Sequence, residues 1–168
     1  MKGAASRGTA VDARISQTAG QASREAIFAR LSTTPLVLAG LALVGVGISA
    51  YLTATHYGHK TIACAGVGQC DYVNSSEYAR IAGLPVSVLG LLLYGVLLVA
   101  ALAWLLRPRS ETAPVLYWGV ALSGAGYAAY LTYVELGVLH AICVWCVASA
   151  IVLATSLALS TAALLRKT

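Results

Sequence analysis

The chain has 168 residues, 59% of them hydrophobic and 10% charged, with a mean hydropathy of +0.80. A soluble globular domain carries roughly a quarter of its residues as charges, so this composition excludes one and leaves an integral membrane protein. The formal net charge of +5 has no folded soluble domain on which to form a basic face, which excludes nucleic acid as a partner.

Residues 1–34 are polar, rich in arginine and poor in acids. An organellar transit peptide has this character, and so does a cytoplasmic tail; internal spans already supply targeting, which favours the tail. Charge-free runs follow at Leu31–His59, Ile81–Leu106, Thr112–Val134 and Leu136–Leu165. Each exceeds the ~20 apolar residues that a helix needs to cross a hydrocarbon core. The runs are continuous rather than alternating, and lipid demands that backbone groups pair within the segment, so helices are expected.

The expected fold is an all-α integral membrane protein, a four-helix bundle over residues 35–165 with spans near 35–56, 84–106, 114–136 and 141–164. Pro35 and Pro114 stand at span starts, where a missing N–H is tolerated, and Pro85 also fits a first turn. Ala and Gly in abundance allow the helices to approach closely.

Charge sets the orientation. Lys2, Arg7, Arg14, Arg24 and Arg30 precede the first span, Arg107 and Arg109 follow the second, and Arg166 and Lys167 follow the fourth. The loop at 57–83 holds only Lys60 and Arg80. The positive-inside rule therefore puts both termini in the cytoplasm, with the 57–83 loop and the turn at Gly137–His140 on the outer face of an inner or plasma membrane. All four cysteines, Cys64, Cys70, Cys143 and Cys146, fall on that face. The sequence also repeats itself: "AYLT" occurs at Ala50–Thr53 and at Ala129–Thr132, each upstream of a cysteine pair.

Three chemistries compete for "CAGVGQC" and "CVWC". Four thiolates can hold zinc or an iron–sulfur cluster, but an oxidising outer face is a poor place to keep them reduced, and no metal is expected. Two inert disulfides would suit a non-enzymatic membrane scaffold or transporter subunit, yet a C-x-x-C ring closes little chain entropy. Redox exchange fits the geometry better. Cys143 and Cys146 are three apart in the first turn of the fourth span, so both look into the bundle if either does, and the helix dipole there lowers a thiol pKa. The loop pair is joined by small residues and is expected to be exposed and mobile, handing electrons to the fixed pair. A lipid-soluble acceptor must then take them.

With its loop cysteine pair, the "SS" that follows, "GLPVSVLGLLLYG" and "YLTYVELGVLHAICVWC", the chain resembles the vitamin K epoxide reductase family, particularly its bacterial members, over Leu36–Leu159. The resemblance implies a thiol:quinone oxidoreductase whose four helices surround a quinone, of menaquinone, ubiquinone or vitamin K type, beneath a half-helix in the outer loop. It implies that Cys146 reacts with the quinone, that Cys143 resolves it and exchanges with Cys70, and that Cys64 meets the thiol partner. Quinone contacts are implied at Ser76, Val86, Leu89, Trp145 and Ala150. The half-helix is expected near Ser75–Ile81, with Asn74 and Glu77 as a capping box. In vertebrate members an Asn and a Tyr stand where this chain has Val86 and Ala150, which points away from vitamin K epoxide reduction and toward disulfide formation. Many bacterial members carry a fused thioredoxin-like domain; a chain stopping at Thr168 implies a separate thioredoxin-fold, DsbA-like partner.

Other residues admit two readings each. Trp145 is either a gate to the quinone or an interfacial aromatic. Glu135 either affects proton delivery or, the simpler reading, is an interfacial carboxylate at a span end. His140 is placed to stabilise a thiolate or shuttle a proton, while His56 and His59 mark the water boundary. Asp71 either raises the Cys70 pKa by repulsion or is a solvated loop charge. Tyr94 and Tyr130 face the bundle or the lipid.

Overall fold

The computed structural model describes residues 33–64, 68–81, 83–107 and 110–166. Most of the tail read over residues 1–34, together with Arg109, Lys167 and the central loop residues 65–67, lies outside them. Four long helices carry the fold: α1 (Thr33–Tyr57), α3 (Val86–Leu106), α4 (Thr112–Val134) and α5 (Val144–Leu165). Three of them, α1, α3 and α5, are long and apolar enough to cross a membrane, with mean hydropathies of 2.1, 2.5 and 2.0. The fourth, α4, has 23 residues but is diluted by Ser, Thr, Tyr and Gly. Pro35 and Pro114 fall in the first turns of α1 and α4.

The helices touch through small residues. Ala39, Ala42, Ala100, Ala101, Ala113 and Ala121 are all buried, around Leu38, Leu97, Tyr94 and Tyr117. Polar side chains then tie helix to helix inside the bundle. The Trp118 indole N–H donates to Thr161 Oγ1 at 2.9 Å, joining α4 to α5. The Tyr94 hydroxyl reaches from α3 to α5, where it lies 2.7 Å from Ser149 Oγ and donates to the Ser149 carbonyl at 3.0 Å. Such bonds contribute specificity where lipid offers no competing water. Tyr94 thus faces the bundle at 1% exposure, whereas Tyr130 is 50% exposed.

The loop between α1 and α3 departs from expectation in three ways. Its short helix, α2, spans Cys70–Ser75, earlier than the expected Ser75–Ile81, because Cys70 and Val73 form a small apolar face that docks inward. A single 3-10 turn follows at Glu77–Ala79, and its N-cap, Ser76, makes no side-chain cap bond, so the capping box is absent. Asn74 is engaged elsewhere, donating to the Cys70 carbonyl at 3.1 Å. Last, among the described residues, otherwise without strands, there is a two-residue antiparallel pair, β1 (Arg80–Ile81) with β2 (Leu84–Pro85), in register Arg80↔Pro85 and Ile81↔Leu84. Gly83 at φ +84 supplies the left-handed residue that so tight a reversal needs.

The connection from α4 to α5 also differs. α4 does not run on to 136 but loosens into a π turn at Glu135–Leu139, and His140 ends it in the left-handed region at φ 49. The Ala141 N–H closes the turn on the Glu135 carbonyl at 3.0 Å. α5 consequently begins at Val144, with Cys143 as its N-cap.

Candidate functional site

The two cysteine pairs meet at one end of the bundle. Cys64 and Cys70 form a disulfide with Cα atoms 6.2 Å apart, and Cys143 and Cys146 are free thiols. Cys70 and Cys143 are buried in one cluster with Val73 and Ala141, and Cys64, Trp145 and Cys146 pack against it. The expectation of an exposed loop pair is corrected here. Cys70 is only 1% exposed, because its sulfur, a good apolar filler, is docked on Ala141 and Cys143 by the α2 face. Cys64 is half-buried.

Backbone bonds hold this loop down. The Gln69 N–H donates to the Ile142 carbonyl at 3.0 Å, directly before the free pair. Gly68 sits at φ +94, where a Cβ would run into that same carbonyl. Asp71 is exposed, as the reading of a solvated loop charge expects, and its Oδ1 accepts the Ile62 N–H at 2.8 Å, which fastens the segment leading to Cys64. Two aromatic residues clamp the next residue: the Trp145 indole N–H donates to the Ala63 carbonyl at 2.9 Å, and the Ala63 N–H donates to the Tyr51 hydroxyl at 3.0 Å. Their rings are 5.0 Å apart and tilted by 46°. Trp145 is therefore a structural clasp over Cys64 as well as a wall of the site.

Cys143 occupies the N-cap of α5 in extended backbone, at φ −101 and ψ 115. It does not sit within the first turn as expected, although Cys146 does. The Cys143 pKa is lowered, but the largest cause is the neighbouring Cys146 thiol rather than the start of the helix. A hydrogen bond from the Cys146 thiol, helped by the backbone N–H groups of Cys146 and Trp145, outweighs burial and the nearby Glu135 and brings the Cys143 pKa from 9.0 to about 7. The Asn74 amide nitrogen lies 3.6 Å from the Cys143 sulfur and adds a further donor. His140, despite its nearness in sequence, is exposed.

Behind the cysteines lies a cavity of about 360 Å³ with mostly apolar walls. Ser76, Val86, Leu89 and Trp145 all line it, together with Cys146. Ala150 is not among the lining residues; Cys146, Ser149 and Leu153 form the α5 stripe that faces the space. Ser76 is further held by donating its hydroxyl to the Val73 carbonyl at 2.7 Å. Polar side chains in the wall include Ser49, Asn74, Ser87, Tyr94 and Ser149. Sequence reasoning did not single out Tyr51 or assign Asn74 its thiol contact. It favoured an interfacial carboxylate at Glu135 over a part in proton delivery, whereas Glu135 is 4% exposed and lines the cavity. The signal for Glu135 was a lone acid beside an otherwise charge-free run.

The arrangement is a disulfide and a dithiol packed together, with one thiol of the dithiol opening on an apolar chamber. Such a site can shuttle electron pairs between thiols and a hydrophobic acceptor. Comparison with known protein families agrees: the model of the vitamin K epoxide reductase family matches residues 36–161, well over half of the chain.

Proposed function

The chain belongs to the vitamin K epoxide reductase family, membrane-embedded helical bundles that are quinone-reducing oxidoreductases, and from that premise we propose that it draws its electrons from an extracytoplasmic thioredoxin-fold, DsbA-like protein. In this reading the partner's dithiol reduces the Cys64–Cys70 disulfide through Cys64. The freed Cys70 thiol then attacks at Cys143, the Cys143–Cys146 disulfide opens, and Cys64–Cys70 closes again. Finally, Cys143 and Cys146 lose two electrons and two protons to the quinone, which leaves as hydroquinone while their disulfide re-forms. The partner, now oxidised, makes disulfides in exported proteins, as bacterial-type members do.

The observation that supports this reading is the placement of the four sulfurs. Cys146 opens on the cavity, Cys143 is sealed behind it, and Cys70 shares Cys143's cluster while Cys64, half-buried, packs against it. Ser76, Val86, Leu89 and Trp145 are proposed to contact the quinone ring or its first isoprene unit. Ala150 is proposed only as a neighbour of that wall. Both termini are assigned to the cytoplasm, since Arg107 and Arg166 end α3 and α5 at the pole opposite the cysteines.

The test is quinone-dependent oxidation of thiols by the purified chain in nanodiscs. Cys146→Ser should abolish quinone reduction with any thiol donor. Cys64→Ala should retain quinone reduction driven by dithiothreitol but fail with a thioredoxin-fold protein as donor. Wild-type quinone consumption by Cys146→Ser would refute the assignment of Cys146.

A further inference from the structure

Reduction of a quinone consumes two protons as well as two electrons, and the chamber's walls are mostly apolar. Glu135 is the one carboxyl among the described residues lining it. The π turn at the end of α4 rotates this side chain inward, where it is 4% exposed. One carboxylate oxygen, Oε2, accepts the Cys143 N–H at 3.2 Å, and the carboxyl also faces the Cys146 thiol. The remaining ionisable side chains of the chamber wall are Tyr78, Tyr94 and Tyr127, all phenols. A buried acid with no role would be costly to keep, since an apolar replacement of similar volume is often neutral or better.

We propose that Glu135 is the proton carrier of the quinone-reducing half-reaction. The inference rests on the assignment of Cys146 to the quinone. As the Cys146 sulfur gives up its electron pair, its proton passes to the Glu135 carboxylate, and the resulting acid delivers that proton to a quinone oxygen. The Cys143 sulfur bonds to the Cys146 sulfur, and the proton that Cys143 has shed on ionising is matched by one taken from water at the second quinone oxygen. The sum is two thiols plus quinone going to one disulfide plus hydroquinone, with Glu135 returned to its starting state. A carboxyl suits this role because it alternates between acceptor and donor at one site. The Cys143 N–H keeps it aimed at the reacting pair.

The experiment separates this role from a merely architectural one. Glu135→Gln keeps the shape and can still accept the Cys143 N–H through its amide oxygen, so the fold is expected to survive, as thermal melting will report. The full chain in nanodiscs is pre-reduced and mixed with ubiquinone-1, and re-oxidation is followed in a single turnover. In parallel, disulfide exchange between the two pairs is followed without quinone, by maleimide gel shift. Re-oxidation of Glu135→Gln should slow by about a hundredfold, regain part of the rate when acetate is added, and be partly restored in Glu135→Asp. Exchange between the cysteine pairs should stay within about twofold of wild type, below the range that general acid–base catalysis spans. Equal slowing of both reactions, or a wild-type re-oxidation rate in Glu135→Gln, overturns the proposal. Failure of the wild-type chain to be re-oxidised would instead overturn the assignment of Cys146, so the two failures are distinct.

Discussion

At the scale of single residues, the thiol of Cys143 sets the pH response. Its pKa is lowered to about 7 by the Cys146 thiol and by the free N–H groups at the start of α5. The thiolate is thus present above that value and is lost as pH falls through it, at a pH where an ordinary cysteine is already protonated. The ultraviolet thiolate absorbance of the reduced chain, minus that of Cys143→Ala, should rise through pH 7 rather than near 9. Removing the donor in Asn74→Ala should move this rise to higher pH. Trp145 makes a second residue-scale prediction. Trp145→Phe keeps the ring against Tyr51 but deletes the donor to the Ala63 carbonyl, a loss of about 1 kcal/mol. Maleimide labelling of Cys64 in the reduced chain should then accelerate while the melting temperature falls only slightly. Neither contact was legible in the sequence, because Ala63 and Trp145 come together only after the chain has crossed the bundle three times.

At the scale of elements, the long helices were readable because a run of apolar residues in lipid has one stable way to satisfy its backbone. Their ends were less readable. The exit of α4 depends on the π turn and on His140 at φ 49, and an apolar run that continues through Leu136–Leu139 gives no warning of either. The same limit hid α2, whose six residues are held by docking rather than by caps. The repeated "AYLT" does carry a common local device: Thr53 and Thr132 each donate a hydroxyl to the carbonyl four residues earlier, at 2.7 and 2.9 Å. Two glycines test the packing of these elements. A methyl at Gly45 would collide with the Tyr94 ring, so Gly45→Ala should push that ring from Ser149 and cost about 1–3 kcal/mol, read as a lower melting temperature. Gly68→Ala puts a Cβ into the Ile142 carbonyl at a left-handed residue, at a cost of about 1–2 kcal/mol. Exchange between Cys70 and Cys143 should slow in that variant, because the loop can no longer seat on Ile142.

At the scale of the whole molecule, charge and apolarity together divide the bundle into two poles. The ends of α3 and α5 carry Arg107 and Arg166, and the starts of α3 and α5 adjoin Pro85 and Cys143. In intact cells a membrane-impermeant maleimide should label reduced Cys64 from outside, whereas Arg107→Cys should react only after permeabilisation. The reverse pattern would invert the orientation. This polarity was legible because it is written in where the arginines stand. The chamber was not, since its wall is drawn from α1, α3, α4, α5 and the outer loop, and no one segment shows a hollow.

The chamber's lining has a consequence for how the enzyme is supplied. In the proposed quinone site, Val86, Leu89, Leu93 and Leu131 give a quinone tail nothing to exchange with water, so its encounter with that site is a search in two dimensions. Saturation should then follow the number of quinones per lipid and be indifferent to the volume of the assay. Fusing the vesicles with quinone-free lipid would slow turnover at constant total quinone, and adding buffer would not. The membrane's own composition thereby becomes a rate-setting variable for thiol oxidation outside it.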